Sequence, residues 1–164
     1  MRNNPADSSL GPTHTRVSRI IHTVRVEHAD VRLDWILGRN IIDVSLAEPV
    51  PWRFRFSDSE GITVECLWRI ISGGRLTRTS SDHGHQFGLP APVDAAREAT
   101  AALADRTVTE VHLRSGTGDI QLRFDGDLML EIIPDSSGYE GWQVYGPGGV
   151  CYGAHGGSFS TWRP

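Results

Sequence analysis

The chain has 164 residues, of which 16 are basic and 20 are acidic, giving a formal net charge of −4. This length corresponds to one domain whose core needs neither disulfides nor metal, and the ordinary composition excludes whole-chain disorder. Every basic residue is an arginine, which excludes a Walker A lysine, a pyridoxal Schiff base and a Ser–Lys dyad.

The first residues are polar and contain Pro5, Gly11 and Pro12. This composition predicts a disordered tail over 1–16. No apolar stretch there is typical of a signal peptide, and no run of about 18 apolar residues predicts a membrane span. We therefore expect a cytoplasmic protein whose two cysteines are reduced.

The first elements of the domain follow this tail. The apolar residues of 17–27 fit a strand as well as a helix, and both alternatives stay open. Ala29, Leu33, Ile36 and Leu37 recur at i, i+4, i+7 and i+8, which predicts a short amphipathic helix. Alternating apolar residues then predict short strands, separated by proline and glycine turns, within 42–46, 52–56, 62–66 and 68–71.

The next segment, 75–91, is rich in Ser, His, Gly and Pro and is predicted to be a long loop, a feature that is often functional. Pro92 suits the first turn of a helix, and the alanine-rich sequence after it predicts a helix that ends near Ala104. The β pattern then returns and runs into a glycine-rich segment, 146–157, that predicts tight hairpins. A last short strand is expected within 158–164.

The two halves of the chain align at an offset of 67 residues. Ile36–Leu46 aligns with Leu103–Leu113, and Trp68 and Trp142 each precede a glycine turn. These matches predict an internal duplication. The predicted fold class is α+β, with two related antiparallel β-meander units, each led by a helix, forming one domain. The predicted boundaries are a domain over 17–164 with repeats at about 36–74 and 103–149.

Two segments carry the candidate contact residues. In the first, His83 and His85 beside Asp82 form a weak metal signal, because a zinc site needs three or four ligands and no recognised spacing is met. A polar loop whose histidines cap the following helix is the structural alternative, and partner binding is favoured over metal. The predicted partner-binding residues are Asp82, His83, His85, Phe87, Tyr139 and Glu140.

The second segment is the turn before Trp142. We expect Trp142 in the core and Tyr139 exposed as a contact, since tyrosine is enriched at interfaces. Glu140 either satisfies backbone N–H groups of the turn or pairs with an arginine. We expect Cys151 to be an inert cysteine that forms no catalytic pair with His155.

Three segments together resemble a family of small bacterial proteins of unknown function. They are Glu65–Arg69, Thr79–Asp94 and Ser136–Trp142, and the similarity spans roughly 36–157. The resemblance implies a stand-alone single domain. Such proteins are similar in size and character to the immunity proteins of toxin systems, and no catalytic assignment transfers from them.

We therefore expect a non-catalytic protein-binding domain, of the immunity type that neutralises a bacterial toxin by occlusion. One alternative is a small metal- or histidine-dependent enzyme that uses the 82–87 loop. Another is a structural subunit that forms a homodimer. The expected partner is a protein, with no cofactor, nucleic acid or membrane involved.

Overall fold

The structure is a computed structural model that describes residues 23–26, 31–48, 51–149 and 151–162. One α-helix, α1, spans Ala95–Leu103. Short 3-10 helical turns occupy Asp34–Ile36, Ser80–Asp82 and Pro147–Gly149. The strands are β1 (Thr23–Val26), β2 (Asp43–Leu46), β3 (Trp52–Arg55), β4 (Gly61–Val64), β5 (Leu67–Ser72), β6 (Arg75–Thr79), β7 (Val108–Leu113), β8 (Ile120–Phe124), β9 (Leu128–Ile133), β10 (Glu140–Tyr145), β11 (Cys151–His155) and β12 (Ser158–Trp162).

These strands form two six-stranded sheets. The first sheet has the order β1-β7-β8-β9-β5-β6, and the second has the order β12-β11-β10-β4-β3-β2. Neighbouring strands run antiparallel except β1 and β7, which are parallel. The predicted α+β class with two related meander-like sheets is therefore confirmed.

The chain crosses between the sheets three times, after β1, after β4 and after β9. After β4 it leaves the second sheet and adds β5 and β6 to the first, and after β9 it leaves the first sheet and adds β10 and β11 to the second. The run β7-β8-β9-β5-β6 thus corresponds strand for strand to β2-β3-β4-β10-β11. The internal duplication itself stays a prediction. The sequence did not indicate that each tryptophan strand would join the opposite sheet.

The core lies between the two sheets. Strand alternation turns Trp52 and Phe54 of the second sheet inward, against Trp68 of the first. Trp68 meets these two rings edge-on, with centroid distances of 5.0 Å and 5.6 Å. Edge-to-face contacts of this kind are a favoured geometry for aromatic pairs. Trp142 is also buried, as expected, and its indole N–H donates to the Gly118 carbonyl.

Helix α1 covers one side of the sandwich. Its buried face consists of Ala95, Ala99 and Leu103, at the i, i+4, i+8 spacing of one helical stripe. Thr100 Oγ1 accepts a hydrogen bond of 2.9 Å from the backbone N–H of Val44, which closes the outer edge of β2. Glu98 forms an ion pair with an arginine of β6. The helix therefore connects an edge of each sheet. Its predicted end near Ala104 is confirmed, but it begins at Ala95, with Asp94 as its N-cap, and not at Pro92.

Two sequence predictions were wrong in extent. The helix expected from Ala29 is, within the described residues, only the 3-10 turn at Asp34–Ile36, because Gly38 takes a φ of +75° and its N–H bonds the Val108 carbonyl. The expected loop 75–91 begins with strand β6, since Gly73 and Gly74 both have positive φ and turn the chain into a hairpin. Each unit is thus led by a helix only in part.

The remaining predictions concern the ends of the chain. Residues 23–26 of the ambiguous segment form a strand, and the short C-terminal strand is confirmed as β12. The predicted tail, 1–16, lies outside the described residues. Among the described residues, no helix is long and apolar enough to cross a membrane.

Candidate functional site

Asp82 and His83 hold the base of the loop that contains most of the predicted contact residues. Asp82 Oδ2 accepts a hydrogen bond of 2.8 Å from the Thr79 N–H. His83 Nδ1 accepts one of 3.2 Å from the N–H of Ala95, the first residue of α1, and the His83 ring meets the Trp52 ring edge-on at 5.4 Å. The expected helix-capping alternative thus describes His83, whose Nδ1 is occupied.

The loop beyond His83 is closed by backbone hydrogen bonds. Gly84 N–H donates to the Val93 carbonyl at 2.9 Å, and Val93 N–H donates to the His85 carbonyl at 2.8 Å. A turn at its tip is closed by the Leu89 N–H, which donates to the Gln86 carbonyl at 2.7 Å. These three bonds fix the backbone on both sides of Phe87.

Phe87 projects from this tip, which we call the Phe87 turn (residues 86–89). Its φ is +46°, and the φ of Gly88 is +77°, an arrangement of a type I′ turn. Phe87 is 67% exposed, and its ring stacks on the His85 ring with a centroid distance of 5.4 Å. A left-handed conformation costs a residue with a Cβ about 1–2 kcal/mol. The fold gains little burial in return, so packing does not explain a phenylalanine here.

Tyr139 lies in a second fixed turn. Ser136 Oγ accepts hydrogen bonds from the N–H groups of Gly138 and Tyr139, both at 3.1 Å. The His155 ring nitrogen contacts the Gly138 carbonyl at 3.0 Å, so His155 holds the turn. Tyr139 is 81% exposed.

Glu140 lies at the start of β10 and forms a hydrogen bond within that strand, and its role as a partner contact stays a prediction. Its carboxylate accepts a hydrogen bond from the Gln143 amide, and it forms no ion pair with an arginine of the described residues. It also lies where a Cβ on Gly153 would stand. Glu140 therefore belongs to the surface layer of the second sheet, beside the Tyr139 turn.

A cleft near the crossovers between the sheets lies beside the residues that lead into both segments. The cleft has a volume of about 240 Å³. Ser80 and Ser81, which lead into the Phe87 loop, line one part, and Asp135, which leads into the Tyr139 turn, lines another. The predicted contact segments, far apart in sequence, are thus at the same end of the sandwich. Sequence spacing could not reveal this, because it depends on the crossovers.

The cleft also contains Cys66, whose chemistry is that of an inert thiol. Burial, and then the nearby Asp135 carboxylate, raise the pKa of Cys66 from 9.0 to about 12. A thiol with this pKa is neutral at physiological pH and is a poor nucleophile. Among the described residues, no three His, Cys, Asp or Glu side chains are placed to hold a metal ion.

Sequence reasoning missed one charged group. Glu131 lies on the outward face of the first sheet but is 6% exposed, and it pairs with Arg69 and accepts a hydrogen bond of 2.7 Å from Gln121. Its burial depends on cross-strand neighbours that only the register brings together.

Comparison with known proteins identifies the family. A family model described as "Family of unknown function (DUF6188)" matches residues 32–163. The chain belongs to this DUF6188 family. No curated protein and no solved structure matches it. All of the predicted contact residues lie within the DUF6188 match, which agrees with the expected membership of a family of unknown function.

Proposed function

We propose that this DUF6188 protein is a non-catalytic protein-binding domain that docks a partner protein through the Phe87 turn. The observation that carries the proposal is an exposed aromatic side chain on a backbone that is fixed in a conformation unfavourable for phenylalanine. Conformations of this kind persist at functional sites because the surrounding structure determines them.

The energetics of association favour such a residue as an anchor. Binding loses free energy when mobile side chains and loops become ordered. The Phe87 turn is already closed by hydrogen bonds, and the His85 ring supports the Phe87 ring. A large aromatic group presented in this way resembles the few residues that dominate most interfaces.

The chemistry of the loop favours binding over catalysis. His83 Nδ1 accepts a backbone hydrogen bond at the start of α1, so this nitrogen is not available as a general base. His85 stacks on Phe87 instead of contacting an orienting carboxylate within the described part of the chain. The loop thus has rigid contact groups, while its histidines serve to support it.

The specific partner that we propose is a bacterial toxin, which the domain would neutralise by covering its active surface. Tyr139, at the same end of the sandwich, supplies a second exposed contact. This form of the proposal rests on the size of the domain and on the exposed aromatic end.

Affinity capture from the native host tests the proposal. We compare the tagged wild-type chain, Phe87→Asn and Ile42→Ala, a control in which a 48% exposed apolar residue on the N-terminal side of β2 is removed. We expect one stoichiometric partner with the wild type and the control, and its loss with Phe87→Asn. Equal recovery of that partner by all three proteins would contradict the role of the Phe87 turn.

A growth assay tests whether the captured partner is a toxin. Expression of the partner alone should arrest growth, and co-expression of the wild-type domain should restore it. Phe87→Asn should restore growth poorly although it accumulates to the same level. A partner that does not affect growth would overturn the toxin assignment and leave the binding role in place.

A further inference from the structure

The outer face of the second sheet has an open cavity above Gly61. Its volume is about 270 Å³, and its walls include Arg53, Thr63 and Tyr145. A Cβ on Gly61 would stand 2.7 Å from the Phe54 carbonyl oxygen, so only glycine fits this strand position. Gly61 therefore contributes no side chain to the outer layer of the sheet, and the cavity lies over it.

The residue that would ordinarily cover this glycine is held away from it. Tyr145 lies directly opposite Gly61 in the β4–β10 register, and cross-strand aromatic rings commonly cover strand glycines. Here the Tyr145 hydroxyl donates to Gln143 Oε1, on its own strand, and the Gln143 amide donates to Glu140. This chain of hydrogen bonds holds the ring along β10. Tyr145 is therefore a wall of the cavity and leaves Gly61 open.

A second glycine on the same face shows how a ring covers such a position. Gly153 lies on β11, and Trp162 of the neighbouring β12 covers it. The Cζ3 and Cη2 atoms of Trp162 lie 3.1 Å and 3.2 Å from the position of a Cβ on Gly153. A flat aromatic ring thus packs directly on glycine backbone in this sheet. At Gly61 the position of a Cβ is met by the Phe54 backbone, and a cavity lies over the glycine.

Two arginines and two carboxylates line the cavity, and the one charge among them without an ion pair to a described residue favours an anionic ligand. Arg55 pairs with Asp58, and Glu60 pairs with Arg39. The guanidinium of Arg53 is exposed at the rim and has no ion pair within the described part of the chain. A guanidinium binds carboxylates through charge-assisted hydrogen bonds and stacks on aromatic faces.

We propose that this cavity binds a small molecule with a flat aromatic ring and a carboxylate. The ring packs on Gly61 beside Tyr145, and the carboxylate contacts Arg53. The volume is slightly below that of drug-sized pockets and suits one ring or two fused rings. The binding efficiency of small ligands then gives a dissociation constant on the order of 1 mM.

A heteronuclear NMR titration of the full chain with indoleacetate tests the proposal. We expect saturable shifts of the amide signals of Gly61, Thr63 and Tyr145. Two comparison ligands separate the requirements: tryptamine keeps the ring and reverses the charge, and cyclohexylacetate keeps the carboxylate and lacks the aromatic ring. Both should bind at least about fivefold more weakly than indoleacetate.

Three variants complete the test. Arg53→Gln should weaken indoleacetate binding about fivefold, whereas Arg75→Gln, at an exposed arginine of β6 in the other sheet, should leave it unchanged. Tyr145→Phe breaks the bond to Gln143 and lets the ring lean over Gly61, so it should also weaken binding. Absence of saturable shifts up to about 10 mM ligand, shifts centred on other residues, or equal affinity of Arg53→Gln would each overturn the proposal.

Discussion

Phe87→Asn should leave the stability of the domain almost unchanged, although it removes a large apolar side chain. Phe87 is 67% exposed, so about a third of the surface of this residue is buried. Full burial of a phenylalanine contributes about 1.5–3 kcal/mol, and the buried third therefore contributes less than about 1 kcal/mol. Loss of the contact with the His85 ring adds at most about 0.5 kcal/mol.

Relief of backbone strain offsets this loss. Phe87 has a φ of +46° and precedes Gly88. Asparagine tolerates the left-handed region, and Asn-Gly is a preferred pair in type I′ turns. The gain is on the order of 1 kcal/mol, so the two effects nearly cancel. We expect a free energy of unfolding within about 1 kcal/mol of the wild type, and a Tm within about 4 °C.

Urea and thermal unfolding measure this change. Phe54→Ala is the matched control, since Phe54 is fully buried and its truncation should cost about 3–5 kcal/mol. A loss of more than about 2 kcal/mol in Phe87→Asn would refute the reasoning, because it would mean that Phe87 stabilises the fold.

The remaining predictions concern the supports of the site. His83→Ala should lower the free energy of unfolding by about 1–2 kcal/mol, and His83→Asn, which keeps an acceptor for the Ala95 N–H, should lower it less. Thr100→Val should lower the free energy of unfolding by about 1–3 kcal/mol because the Val44 N–H loses its acceptor, whereas Thr100→Ser should lower it by less than about 1 kcal/mol. Denaturant unfolding measures the two His83 variants and the two Thr100 variants. Equal losses for the two variants of one residue would contradict the assigned hydrogen bond. Cys66 should resist iodoacetamide in the folded protein at pH 8, and rapid labelling there would contradict its burial. The pKa of Cys66 is about 12 in the folded protein and 9.0 in the unfolded chain. Its contribution to the free energy of unfolding is therefore complete below pH 9 and falls by up to about 1.4 kcal/mol per pH unit as the pH rises towards 12. Cys66→Ala is the reference for this pH dependence.

Local patterns predicted much of the fold because they depend on neighbouring residues. Alternation identified the strand around Trp52, and the alanine-rich segment identified α1. The crossovers after β4 and β9 depend instead on which sheet has an open edge at that point. No local pattern contains this information, so the assignment of strands to sheets required the structure.

The candidate site, like the fold, could be predicted from the sequence only in part. Residue type alone marked Phe87 and Tyr139 as contacts, and both are exposed in the structure. The bond between His83 and α1 joins segments that the sequence separates, and it gives this histidine a supporting place. The Gly61 cavity depends on the register that sets Tyr145 opposite the glycine, which sequence spacing does not fix.

The most direct test of the binding role is a calorimetric titration of the captured partner with the wild-type domain, Phe87→Asn and Ile42→Ala. If the Phe87 turn is the anchor, Phe87→Asn should raise the dissociation constant of the complex by at least about 30-fold. This change corresponds to a hot-spot contribution of about 2 kcal/mol. Ile42→Ala should bind as the wild type does. Equal affinity of Phe87→Asn and the wild type would contradict the central claim.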